Sequence, residues 1–207
     1  TDDAVITLAG TYTVTLDVRS TVASLSLGAG SGAQTLAIST NNTLTLNGAS
    51  TVNSFGVLTQ STGTITGSGT LTVAGPYNWS GGTLTGAGTT TINGTLTISG
   101  AASKDITSSR TLNTTATTTW TNGAVRIGSG AVINNSGTWD CQVDSNLQNP
   151  FGGTATLNNS GTFKKSGAIG TTIVFNTLTA FNNTGSVQAL AGTISLRATG
   201  THTGSFN

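Results

Sequence analysis

The chain has 207 residues, of which 6% are charged, 35% are hydrophobic and 29 are glycine, and it contains neither Glu nor Met. Seven basic and six acidic residues give a net charge of +1, which supplies no basic stripe for phosphate neutralisation and argues against nucleic acid as a partner. Low charge with this apolar content is the reverse of the disorder signature, and no apolar run approaches the ~20 residues that cross a bilayer.

Along the chain, short runs of Thr, Val, Ile and Leu alternate with Gly, Asn and Ser, the pattern of strands and tight turns. No window of about 11 or more residues carries the helical period. In chain order the runs group into units at positions 5–16, 22–38, 44–58, 65–73, 84–98, 106–119, 125–139, 154–163, 173–187 and 194–206. The later units repeat one phrase at a fixed interval. Asn134-Asn135-Ser136-Gly137-Thr138-Trp139 returns as Asn158-Asn159-Ser160-Gly161-Thr162-Phe163 and again, after the same step, as Asn182-Asn183-Thr184-Gly185-Ser186-Val187. In the first half, Thr64-Ile65-Thr66-Gly67-Ser68-Gly69-Thr70 returns after a shorter step as Thr83-Leu84-Thr85-Gly86-Ala87-Gly88-Thr89. A period in this range marks stacked units, none of which buries its apolar face alone.

The expectation is an all-β protein: a parallel β-helix (β-solenoid), right-handed and three-faced, of about ten coils of roughly 19–24 residues each. It forms one segment over positions 1–207, as a rod of roughly 45–50 Å at the strand spacing. In Thr43-Leu44-Thr45-Leu46 and Thr95-Leu96-Thr97-Ile98 the aliphatic side chains point inward and the threonines outward, where they stack coil on coil. Gly-Ser-Gly and Asn-Gly segments supply the corners. Asn134, Asn158 and Asn182, with Asn135, Asn159 and Asn183, fall at equivalent places of the returning phrase, where side-chain amides build a ladder between coils. The stretch from 140 to 151 breaks the alternation and contains Pro150; it reads as a loop standing off the rod.

Few residues suggest chemistry. Glycoside hydrolysis takes two carboxyl groups ~5–9.5 Å apart; of the six Asp, only Asp140 and Asp144 share a stretch, with Lys164 and Lys165 one coil on. The same pair is the candidate for calcium, which takes about 6–8 oxygens, although the spacing matches no calcium loop. The bland reading is a charged loop that keeps an uncharged rod in solution. Trp79, Trp120 and Trp139 are the candidate ligand-binding residues, as an aromatic surface for stacking sugars; the alternative is that they fill the rod. His202 and Cys141 lack activating partners, and no cofactor is expected. Outward Thr-x-Thr pairs are how flat solenoids match an ice lattice. Here the pairs at Thr43, Thr64, Thr83, Thr95 and Thr117 occur at unequal offsets, so the plane reads as incomplete and structural Thr ladders explain it.

Asp3-Ala4-Val5-Ile6-Thr7, Thr11-Tyr12-Thr13-Val14-Thr15-Leu16-Asp17 and Val22-Ala23-Ser24-Leu25-Ser26-Leu27-Gly28 open in the manner of large bacterial secreted repeat proteins. With the later Asn-Asn-Ser-Gly-Thr phrases, nearly the whole chain resembles autotransporter-passenger-like and filamentous-haemagglutinin-like β-helix proteins. The resemblance carries no catalytic motif. It implies export, a cell-surface or extracellular location, and a role as a stalk, adhesin or fibre. The chain starts without Met and ends inside a strand-like run, as a segment of a longer protein does. The function expected is a non-catalytic structural rod that self-associates through its end coils or continues into further repeats. A carbohydrate-binding adhesin, with extracellular polysaccharide as partner, is the alternative, and a polysaccharide-degrading β-helix enzyme comes third.

Overall fold

The computed structural model describes residues 2–174 and 180–207; residues 175–179, within the expected unit 173–187, lie outside the described residues. The described residues form strands, turns and bends, with no helix, and so no helix long and apolar enough to cross a membrane. All strand pairs are parallel. They assemble into three sheets of nine, ten and nine strands, in which every third strand along the chain is a neighbour, except that the last strand, Ser205–Phe206, pairs with Ser186–Ala189 two strands before it. The chain is therefore a three-faced β-solenoid.

Face A runs from Ala4–Ile6 through Leu25–Leu27 to Ala180–Asn183, face B from Tyr12–Thr15 through Gln34–Ile38 to Ser205–Phe206, and face C from Ser20–Val22 through Thr43–Leu46 to Thr193–Leu196. Nine full coils and a partial tenth result, rather than ten. The tenth carries only bridges at Thr199 and His202 and the short strand Ser205–Phe206. The stretch 140–151 is also more regular than its sequence implies. Thr138–Cys141 and Asn146–Gln148 are ordinary rungs of faces B and C, because the coil needs only one inward residue in two, and Trp139, Cys141 and Leu147 supply them. Beyond Gln148 the chain makes a surface turn in which the Phe151 ring centre lies 5.4 Å from the Arg126 guanidinium carbon.

Register holds while corner lengths vary. On face A, Ala4 pairs with Leu25, Thr70 with Thr89 and Ala131 with Ala155. The step along the chain differs in each of these pairs, yet equivalent positions come into line. Inward residues consequently form columns parallel to the rod axis. One face A column reads Ile6, Leu27, Val52, Val73, Ile92, then Thr114, Asn135, Asn159 and Asn183. The core thus changes along its length from dry aliphatic contact to stacked amides.

Candidate functional site

The three tryptophans lie inside the rod, each at 0% exposure. They are not the outward sugar platform considered from the sequence. The reason is parity: each occupies an inward position of a face B strand. One inward column reads Gln60, Trp79, Ile98, Trp120, Cys141, Lys165, and its neighbour reads Leu58, Tyr77, Leu96, Thr118, Trp139, Phe163. In the later coils large sits beside small: Thr118 accompanies Trp120, and Cys141 accompanies Trp139. Such alternation fills a fixed cross-section without strain. Tyr77 stacks on Trp79 at 5.9 Å, and Trp139 on Phe163 at 6.3 Å. The aromatic series continues through Phe181, His202 and Phe206, which gives His202 a packing role. Burial pushes the Cys141 thiol well above its ordinary range, so it is not a nucleophile.

The carboxylates considered for metal or acid–base chemistry are each engaged by protein donors. Asp140 points outward from face B; it accepts hydrogen bonds from Ser166 Oγ at 2.6 Å and Gln142 Nε2 at 3.0 Å, and Lys164 Nζ lies 3.6 Å away. Asp144 sits in the following corner, where Lys165 Nζ at 2.7 Å and the Gly170 amide at 3.0 Å donate to its two oxygens. The Lys165 hydrogen bond holds the Asp144 carboxyl below its usual range. Among the described residues no group of three or more His, Cys, Asp or Glu side chains gathers to hold a metal.

The expected amide ladders are present, and there are two. Asn134 and Asn135 are consecutive, so they lie on opposite sides of face A. On the outer side, Asn134 Nδ2 donates to Asn113 Oδ1, Asn158 Nδ2 to Asn134 Oδ1 and Asn182 Nδ2 to Asn158 Oδ1, all at 2.8 Å. On the inner side, fully buried, Asn135 Nδ2 donates to Asn159 Oδ1 and Asn159 Nδ2 to Asn183 Oδ1, both at 2.7 Å. Each inner Nδ2 also donates to a corner carbonyl, Gly137 O for Asn135 and Gly161 O for Asn159. The sequence phrase therefore specifies a buried hydrogen-bonded column and a half-exposed one at once.

Sequence reasoning missed a set of buried cationic and amide donors that close the corners. Lys104 Nζ donates to Gly100 O at 2.7 Å and Asn122 O at 3.0 Å; Lys165 Nζ also reaches Val143 O and Gly167 O. Arg110 reaches Thr90 Oγ1, Gly67 O and Thr85 O, and Gln60 Nε2 reaches Gly63 O and Thr83 O. All four side chains are at 0% exposure. Gly63 O and Gly67 O also accept a backbone amide of the next coil; the side chains add a donor to these and to the other corner carbonyls from within. Burial lowers the Lys104 pKa to about 8 and lowers that of Arg110. The signal was available for Lys104: in Lys104-Asp105-Ile106 it shares parity with a core isoleucine.

Comparisons with protein-family models, with curated proteins and with solved structures found no match.

Proposed function

We propose that this chain is a non-catalytic structural segment of an extracellular or cell-surface protein, a rigid rod that serves as stalk, fibre or matrix element. The observation that carries the reading is the continuity of parallel pairing across nine coils on three faces, reinforced by two side-chain ladders that tie coils Thr111–Thr114 to Ala180–Asn183. Such a ladder resists bending because every rung is hydrogen-bonded to the next over its whole width. A carbohydrate-binding role loses its aromatic platform with all three tryptophans in the core. The polysaccharide-degrading alternative has Asp140 and Asp144 each tied to a lysine.

The test is mechanical. The chain is held between inert handles and stretched from its two termini in a single-molecule force experiment. A rod segment gives a series of rung-sized extension steps, the later ones, at the amide ladders, at higher force. Featureless extension at negligible force, as for a flexible linker, would end the proposal. Export and self-association are tested separately, by surface display of the full parent chain and by sedimentation across a concentration series.

A further inference from the structure

The outward threonines of face C stack in columns coil on coil, as the sequence suggests, but with little hydrogen bonding among their hydroxyls. Thr43 lies opposite Thr64, and Thr64 opposite Thr83; Thr21 lies opposite Thr45, and Thr45 opposite Thr66. Because Leu84 pairs with Ile65 and Ile106 with Leu84, Thr85 and Thr107 continue the second column. The unequal sequence offsets are absorbed by the corners, and the Thr-x-Thr pairs 43/45, 64/66 and 83/85 fall in register on three consecutive rungs. Among the described residues the hydroxyls of Thr43, Thr45, Thr64, Thr66 and Thr83 have no protein partner; only Thr107 Oγ1 donates, to Thr85 Oγ1 at 2.9 Å. The outward asparagines of face A, by contrast, pair with each other. The face C hydroxyls are instead left to solvent, each beside its own methyl group.

We propose that this threonine array on face C binds ice. The columns repeat at ~4.8 Å along the rod and about 6.7 Å along each strand. That rectangular net is on the scale of the oxygen net of a hexagonal ice prism plane. Two rungs of freely rotating hydroxyls would order water poorly. Three rungs fixed by a parallel ladder on rigid, β-branched side chains hold it in place. The block is free of charge, which would impose its own hydration shell. Charge enters only at its borders: Arg19 precedes the first rung, and Asp105 with Arg126 follows Thr83, their carboxylate and guanidinium 2.6 Å apart. A flat polysaccharide crystal is the less suited occupant, because sugar recognition uses aromatic faces and amide or carboxylate pairs, and the array has neither. The assignment is independent of the rod's role as a stalk.

The experiment measures thermal hysteresis, crystal shaping and partition into a growing ice front for the whole chain and three variants. Thr64→Tyr stands at the centre of the array, Thr45→Tyr one rung away, and Thr156→Tyr on the outer side of face A. Circular dichroism and melting verify that each retains its β signal, since all three sites point outward. The expected result is ice shaping and hysteresis by the unaltered chain, a several-fold loss in Thr64→Tyr and Thr45→Tyr, and no change in Thr156→Tyr. A folded chain with no hysteresis and no partition into ice overturns the proposal, as does equal loss in all three variants. Binding to crystalline chitin or cellulose that Thr64→Tyr abolishes, with no ice activity, overturns it in favour of a polysaccharide face.

Discussion

Replacing Asn159 by alanine separates the buried amide column from the half-exposed one. Asn159 Nδ2 is the donor to Asn183 Oδ1 at 2.7 Å and to Ser186 O at 3.1 Å, and its Oδ1 accepts from Asn135. Truncation leaves the Asn183 oxygen without a donor at 0% exposure, a cost of about 1–3 kcal/mol. A void of about 40 Å³ where the amide stood adds about 1 kcal/mol at the usual cavity coefficient. Asn135 keeps its bonds to Gly137 O and Thr162 O, so little is lost below. The sum is about 2–4 kcal/mol. Asn158→Ala breaks the same number of amide-to-amide bonds, but at a half-exposed site where water substitutes, and costs about 0.5–1 kcal/mol. Replacing Thr114, Asn135, Asn159 and Asn183 together by valine removes the amide-to-amide donors and acceptors in pairs and extends the aliphatic column of Val52, Val73 and Ile92, but takes a donor from backbone carbonyls such as Thr162 O and Ser186 O. Only part of the loss should return. Urea unfolding, with hydrogen exchange on the rungs from 131 to 189, reads these effects locally, since long arrays need not unfold as one unit. If Asn159→Ala proves no more damaging than Asn158→Ala, the buried ladder has no special energetic weight and the reasoning fails.

The remaining predictions concern the corners. Lys104 has its pKa lowered by burial to about 8, so between pH 8 and its unfolded value the unfolded chain binds more protons than the folded one. Stability should therefore rise with pH across that window, by at most about 3 kcal/mol, and Lys104→Met should remove the rise; a falling or flat profile in the unaltered chain contradicts the burial argument. Asp144 is held below its usual range by Lys165, so its contribution is present above the unfolded carboxylate pKa and is lost as pH falls through the folded one; Asp144→Asn should flatten the acid limb of the melting profile. At Gly161 a Cβ would lie well inside contact distance of the Gly137 and Ser136 carbonyl groups, all backbone, so Gly161→Ala should abolish or severely weaken folding, whereas Gly152→Ala, with open space around it but φ near +69°, should cost only about 1 kcal/mol.

The architecture was legible because the repeat is written at two levels that agree. Parity within each strand, as in Thr43-Leu44-Thr45-Leu46, states which side chains go inward, and the returning Asn-Asn-Ser-Gly phrase states the coil length. Both are local patterns with a fixed physical reading. What could not be read was position across the coil. Trp79 and Trp120 sit at inward strand ends, but the flanking Ser-Gly-Gly and Thr-Asn-Gly look like surface corners, which is why an outward platform stayed open. Lys104, Arg110 and Lys165 were hidden for a different reason. Charged residues signal surface, and only the inward-turned corner carbonyls reveal why a cation belongs there. The threonine array failed by arithmetic, since the unequal steps from Thr43 to Thr64 and from Thr64 to Thr83 suggested scattered pairs. Step length measures the corners, whereas alignment is set by strand pairing alone.

The two asparagine columns also run in opposite senses, and their partners fix this. On the outer side the Thr201 amide donates to Asn182 Oδ1, which turns every Nδ2 toward the preceding coil. On the inner side Asn135 and Asn159 must donate to Thr162 O and Ser186 O, carbonyls of the following coil, which turns every Nδ2 forward. Consecutive residues thus carry side-chain dipoles of opposite direction across one sheet. A single column of aligned amides would accumulate a dipole with each added rung, as a helix does. Opposed columns cancel rung by rung, so the ladder can lengthen by further units of the same phrase without building a field at its ends. An Asn-Asn pair, rather than a lone Asn, is the shortest sequence that provides this cancellation.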